Sequence, residues 1–290
     1  MIPGGVSRDQ LFTDPPFFAS RGEGPYIFDQ AGVRRLDFVN NYTSLIHGHA
    51  HPATVEAIAA QATKGTAYGA PSEVEASLAQ VIIARLAGTE MIRFTNSGTE
   101  ATMLALQLAR HVTGRTRIAK FEGGYHGSHE LVRVSVKPED GGPRRRPEAV
   151  PEEGATGFDL TDVLPFDDLE SLEDIAAELG ARWAALIVEP MQGSAGMLPA
   201  SDGLLEKCRE LADRYGFLLV FDEVMTFRHG GRGLQTEWGV RPDLTTLGKI
   251  IGGGLPVGAV AGPADLMAKL ASPGPIGFIT PARSTGIPLR

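Results

Sequence analysis

The chain has 290 residues, 42% of them hydrophobic and 21% charged, and carries a formal net charge of −8 at neutral pH. That length and balance suit a globular protein with one large domain and a smaller appendage, and the acidic excess argues against nucleic acid, whose phosphates require clustered Lys and Arg. A single cysteine, Cys208, excludes a disulfide framework and a cysteine zinc cluster, and no apolar run approaches the about 18 residues of a membrane span.

In chain order, Met1-Ile2-Pro3-Gly4-Gly5 lacks a charged segment followed by an apolar one, so no secretory leader is expected and the protein reads as cytoplasmic. Gly24 to Phe38 reads as an antiparallel hairpin turning at Gln30-Ala31-Gly32. His47, His49 and His51 alternate; an extended backbone would put three imidazoles on one side, as some zinc sites do. Local spacing offers no carboxylate or fourth ligand, so no metal is expected. Strands are predicted at Met91–Thr95, Arg117–Phe121, Trp183–Val188, Phe217–Phe221 and Leu244–Leu247. Helices are predicted at Glu100–His111, Leu169–Glu178 and Leu204–Tyr215. Cys208 falls in the last of these as a small buried hydrophobe. The alternation predicts an α/β sheet with helices on its faces, and the continuous apolar strands imply burial on both sides. Lys137 to Phe158 is a long loop, functional or mobile. The only dense basic run, Arg144-Arg145-Arg146, lies inside it and is expected to be solvated.

Three sets of residues carry chemistry. Thr95-Asn96-Ser97-Gly98-Thr99-Glu100-Ala101 follows a strand and opens a helix. Its hydroxyls, its glycine and the free N–H groups of the helix start suit a phosphate, although a plain capped helix start would read the same way. Glu189 and Asp222 each close a buried strand, where open α/β sheets place ligands. Asp222 there suits a protonated ring nitrogen; a helix cap or a loop salt bridge is the alternative for each acid. Lys249 stands at a third strand end, where burial or nearby cations would make its amine an imine-forming nucleophile. The following Gly252-Gly253-Gly254 is no P-loop, because the Gly-x-x-x-x-Gly-Lys-Ser/Thr order is absent.

Taken together, six stretches resemble the class III pyridoxal-phosphate (PLP) aminotransferases, most closely the glutamate-1-semialdehyde aminomutase branch. They are Gly48-His49-Ala50-His51-Pro52, Asn96 to Thr102, Phe121 to Gly127, Val188-Glu189-Pro190, Phe221 to Thr226 and Leu247 to Gly254. They occur in family order, and the resemblance covers roughly residues 2 to 270. It implies a PLP fold type I large domain, with a mixed, mostly parallel sheet and helices on both faces, working as a homodimer. It implies that Ser97, Gly98 and Thr99 bind the cofactor phosphate. By the same resemblance Tyr125 would stack on the ring with His126 beside it, and Val224 would pack on the other face. By that resemblance Asp222 would pair with the ring nitrogen, Glu189 and Gln192 would sit at the ring with Gln192 toward its hydroxyl, and Lys249 would form the Schiff base and then act as general base. The implied substrates are a small amino acid or amino-ketone and a carbonyl acceptor. Arg8, in Pro3-Gly4-Gly5-Val6-Ser7-Arg8, matches a segment of this branch that grips a substrate carboxylate; a surface arginine is the alternative.

The expected organisation is an N-terminal segment with the hairpin over 1–45, a PLP-binding domain over 46–270, and an aberrant tail over 271–290 in place of the family's small C-terminal domain. After Gly277 the family continues through a Gly-Thr-Phe-x-Gly-Asn-Pro segment, whereas here Phe278 to Arg290 follow. One codon choice for that tail, read two bases out of frame, spells His-Ala-Gly-Thr-Phe-Asn-Gly-Asn-Pro-Ala-Ala, so a frameshift near Gly277 to Ile279 is inferred. Two functional expectations stand: a PLP-dependent aminotransferase or aminomutase, and a truncated, non-catalytic remnant of one.

Overall fold

The computed structural model describes residues 17–137 and 146–271. Arg8, Arg144, Arg145 and the tail beyond Ala271 lie outside the described residues. The chain divides into two compact units, with the boundary between Ala67 and Tyr68.

In the first unit, β1 (Ala19–Glu23), β2 (Tyr26–Asp29) and β3 (Arg34–Leu36) form an antiparallel sheet in that order. The expected hairpin is β2–β3. Its turn is held by the Asp29 carboxylate, which accepts from the N–H of Ala31 at 3.0 Å and of Val33 at 2.8 Å. β1 escaped the sequence pattern because Ala-Ser-Arg-Gly-Glu has no apolar alternation and is mostly exposed. The segment then turns rather than extends: Gly48 and Ala50 both have positive φ. The three histidines therefore do not line one side. His49 Nε2 lies 2.7 Å from Asp37 Oδ2, while the rings of His47 and His51 meet at 4.8 Å. Helix α1 (Pro52–Ala62) starts on a proline, whose missing N–H costs nothing in a first turn.

The second unit holds helix α2 (Glu73–Ile83), β4 (Met91–Thr95), α3 (Gly98–Thr113), β5 (Arg117–Phe121), β6 (Thr161–Leu164), α4 (Leu169–Leu179) and β7 (Trp183–Val188). It continues with the two-residue strands β8 (Met191–Gln192) and β9 (Leu198–Pro199), then α5 (Leu204–Tyr215), β10 (Leu218–Asp222), β11 (Leu244–Gly248) and β12 (Gly258–Gly262). One seven-stranded sheet runs β4-β12-β11-β10-β7-β5-β6, with only β12 antiparallel to its neighbours. This is the α/β, mostly parallel sheet that the sequence predicts. β7 and α5 have the predicted limits, α3 is two residues longer at each end, and β10 begins one residue later than predicted.

Helix α3 covers one face, packing Leu104, Ala105 and Leu108 with Ile118, Ile187 and Val220 of the sheet. On the other face α4 and α5 bring Leu172, Ile175, Leu205 and Leu211 against Phe121, Leu186, Val188 and Phe221. Cys208 is fully buried in this second layer, and burial pushes its thiol pKa up. Ser97 starts α3 by accepting from the Glu100 N–H at 3.1 Å, and Gly114, at φ 69°, ends it in the left-handed conformation. Because β4, β5, β7, β10 and β11 share one direction, the residues after Thr95, Phe121, Val188, Asp222 and Gly248 all emerge at the same sheet edge. Among the described residues no helix is long and apolar enough to cross a membrane.

Candidate active site

The carboxyl edge gathers every predicted site residue within the described chain. At one corner the turn Ser97-Gly98-Thr99 presents the first N–H groups of α3. The fit here is close: a Cβ at Gly98 would meet the Val224 methyls at 3.0 and 3.1 Å. A Cβ at Gly258 would stand 2.0 Å from the Ser97 carbonyl oxygen, so β12 must present glycine to pass behind this turn. Thr99 and Thr102 of α3 also pin the next loop. The Thr99 hydroxyl accepts from the Ser128 N–H at 3.4 Å, and the Thr102 hydroxyl donates to the His126 carbonyl at 2.6 Å.

That loop delivers Tyr125 and His126 in opposite environments. Tyr125 is 41% exposed, whereas His126 is almost wholly buried. His126 Nδ1 lies 2.9 Å from Asp222 Oδ2. A carboxylate only accepts, so Nδ1 carries the proton. Burial holds the imidazole below its usual pKa, against the pull of the Asp222 hydrogen bond, so the ring is neutral and Nε2 is an acceptor. Nε2 is itself buried, with no hydrogen-bond partner among the described residues. The other oxygen of Asp222 accepts from the Val224 N–H at 3.1 Å and the Thr246 hydroxyl at 3.2 Å. Asp222 is thus a fixed carboxylate at a strand end.

Glu189 is buried beside it. Its two oxygens accept from the N–H of Tyr125 at 2.9 Å and of Gly193 at 3.3 Å. Burial, and then the nearby Asp222 charge, raise its pKa. Gln192 turns its amide back to donate to the Glu122 carbonyl at 2.8 Å, which locks the turn carrying Tyr125. Gly123 in that turn has φ +77°, and a Cβ there would meet Gln192 Oε1 at 3.0 Å, so glycine is required twice over. Lys249 follows β11 at φ 48°, a strained conformation for a non-glycine residue of the kind found at functional sites. Burial lowers its pKa, opposed by the charges of Asp222 and Glu189. A helix start with free N–H groups, the Val224 methyls against it, a held carboxylate and a buried amine with weakened proton affinity are the kinds of group that would suit PLP.

Sequence reasoning missed several partners at this edge. Thr102 and Thr246 tie the loop and Asp222 in place. Glu223 is fully buried and accepts from the Thr226 hydroxyl at 2.6 Å and the N–H groups of Leu234 at 3.0 Å and Gln235 at 2.7 Å. The only signal in the sequence was their polarity beside apolar segments, and it names no partner.

The class III aminotransferase family matches residues 9–278. The chain belongs to that family. It is 44% identical over 282 residues to a glutamate-1-semialdehyde 2,1-aminomutase of Ignicoccus hospitalis, covering 95% of this chain and 66% of that protein. An omega-transaminase from Sphaerobacter thermophilus superposes with a TM-score of 0.86 at 44% identity, over 92% of this chain and 62% of the other. A transaminase with PLP bound does so with a TM-score of 0.86 at 40% identity, over the same shares. This class III aminotransferase chain therefore spans just under two thirds of the length of the relatives it matches. Its large-domain sheet is that of PLP fold type I.

Proposed function

We propose that the chain holds PLP and serves transfer of an amino group between an amino acid or amino-ketone donor and a carbonyl acceptor, intermolecularly or as an aminomutase. The observation that carries the proposal is the convergence of Lys249, Asp222 with His126, and the Ser97-Gly98-Thr99 corner on one sheet edge. When bound, PLP supplies an electron sink for negative charge developing at the carbon beside the amino group. The chain's own residues do the rest. Ser97, Gly98 and Thr99 hold the phosphate, and Val224 and Tyr125 flank the ring. The Asp222 carboxylate keeps a proton on the ring nitrogen, while His126, donating from Nδ1, fixes which way that carboxylate points. Lys249 Nζ would be the covalent attachment point and, as a neutral amine, would move a proton at the substrate carbon. Its burial favours the neutral amine that both roles need. Glu189 and Gln192 hold the Tyr125 turn against the ring side. Arg8 is proposed to bind a substrate carboxylate through its planar fork. A cytoplasmic homodimer completes the proposal.

Borohydride reduction after incubation with PLP, followed by peptide mapping, provides the test. A stable adduct is expected on Lys249 and none in Lys249→Ala. An adduct retained in Lys249→Ala overturns the assignment of the lysine. An adduct on the 290-residue chain without turnover of any amino donor favours the non-catalytic alternative.

A further inference from the structure

Lys120 belongs to no part of the site described above, yet it is the only lysine or arginine of the described chain that is completely buried. It stands in β5 between Ala119 and Phe121, pairs in register with Ile187 of β7, and shares the α3-side face with Ile118. A lysine is a poor choice for such a position unless its amine has work to do, because long cations are rarely fully buried. Its Nζ donates to the Val134 carbonyl at 2.6 Å.

Val134 lies in a strap, residues 132–136, that is buried apart from the half-buried Arg133. The strap has further anchors, among them the Arg133 carbonyl, which accepts from the Glu152 N–H at 3.0 Å, and the Ser135 hydroxyl, which donates to the Glu148 carbonyl at 3.1 Å. The Gly123 N–H donates to the Ser135 carbonyl at 2.8 Å, and the Ser135 N–H donates to the Val150 carbonyl at 2.7 Å. The Ser135 hydroxyl accepts from the Val150 N–H at 3.0 Å. Gly123 begins the turn that presents Tyr125 and His126, and Val150 belongs to the long loop predicted at 137–158. The strap therefore joins that turn to the root of the loop, and Lys120 is its side-chain link to the sheet.

The geometry points to Lys120 as a positioning residue: its amine ties the 132–136 strap to β5 and thereby fixes the Gly123–His126 turn that forms one wall of the site. Both the ammonium and the neutral amine can donate to Val134, so the tie persists through the amine's titration near neutral pH. Only its effect on the cofactor rests on the PLP reading; the tie itself does not.

The test compares the full chain with Lys120→Met and Lys120→Gln. Methionine matches the lysine in volume and lacks a donor, and apolar replacement of a buried charge is commonly tolerated. Glutamine restores a donor. In Lys120→Met the Gly123 and Ser135 amides should exchange with deuterium about tenfold faster while α5 amides are unchanged. PLP affinity, followed by absorbance titration, should fall about tenfold, the scale on which outer-shell partners of a bound group act. Lys120→Gln should recover part of both. Unchanged exchange at Gly123 overturns the tie. Faster exchange with unchanged PLP affinity overturns the positioning role. Collapse of both variants would assign Lys120 to the stability of the whole sheet and equally overturn it. A wild-type chain that binds no PLP refutes the proposed function instead, and the exchange result still decides the tie.

Discussion

The buried amine of Lys120 makes the stability of the chain depend on pH in a direction that can be worked out in advance. Burial holds it to about 7 against an ordinary 10.5, with the charges of Glu189, Glu152 and Glu122 pulling the other way. Between those values the unfolded chain keeps the proton and the folded chain has lost it. Stability from this group therefore rises with pH through that window, and it is flat below the folded value and above the unfolded one. One proton is worth about 1.4 kcal/mol per pH unit, so from about pH 7.5 to about pH 9.5 the gain is roughly 2–3 kcal/mol. Lys120→Met removes the group and its slope. Other shifted groups, Lys249 among them, are common to both proteins and cancel in the difference. Urea unfolding of the cofactor-free proteins, followed by circular dichroism at half-unit pH steps, measures it. The methionine variant should do best relative to wild type at or below neutral pH and lose about 2–3 kcal/mol of that standing by pH 9.5. Parallel stability curves across the window would refute the reasoning, because they would show that the folded chain carries the same proton as the unfolded one.

Asp222→Asn should still form the reducible PLP adduct at Lys249 but slow the half-reaction with an amino donor by about 10²–10³-fold, the usual scale for losing one preorganised charge; a near-wild-type rate removes Asp222 from its proposed role. Glu223→Gln puts a donor where Glu223 now accepts from Gln235 or from Leu234 and Thr226. One buried pairing is lost, so about 1–3 kcal/mol of stability should go, and a melting temperature within a degree of wild type would contradict this. Gly258→Ala drives a Cβ into the Ser97 carbonyl 2.0 Å away. It should cost about 1–3 kcal/mol and weaken PLP far more than phosphate-free pyridoxal, and equal losses for the two ligands would count against the phosphate corner.

What the sequence disclosed followed the range of the forces involved. β7 was legible to the residue because a strand buried on both faces is an unbroken apolar run, and α5 because its apolar positions recur at helical spacing and Gly216 ends it. β6 and β12 were missed for opposite reasons. β6 is an edge strand whose Asp162 is drawn to Arg117 and to the Trp183 indole N–H, so its four residues show little alternation. β12 reads Gly-Ala-Val-Ala-Gly because it must slip behind the Ser97 turn, so the close approach that shapes the site erases the bulky, β-branched signal of a strand. The Ser97 turn, Glu189, Asp222 and Lys249 were marked by a helix start and strand ends, and Tyr125, His126, Gln192 and Val224 by family resemblance; all lie at one sheet edge, whereas Arg8 lies outside the described residues. The residues that fasten the site are a different matter. Glu223 is held by groups 3 to 12 positions away, and Lys120 by a carbonyl 14 positions away. Neither partnership has a local spacing to betray it. A lysine inside Ile118-Ala119-Lys120-Phe121 was nonetheless visible as a contradiction, since a strand buried on both faces has no solvent to offer an ammonium. Such a contradiction marks where to look for a partner, and only the fold supplies the Val134 carbonyl that resolves it.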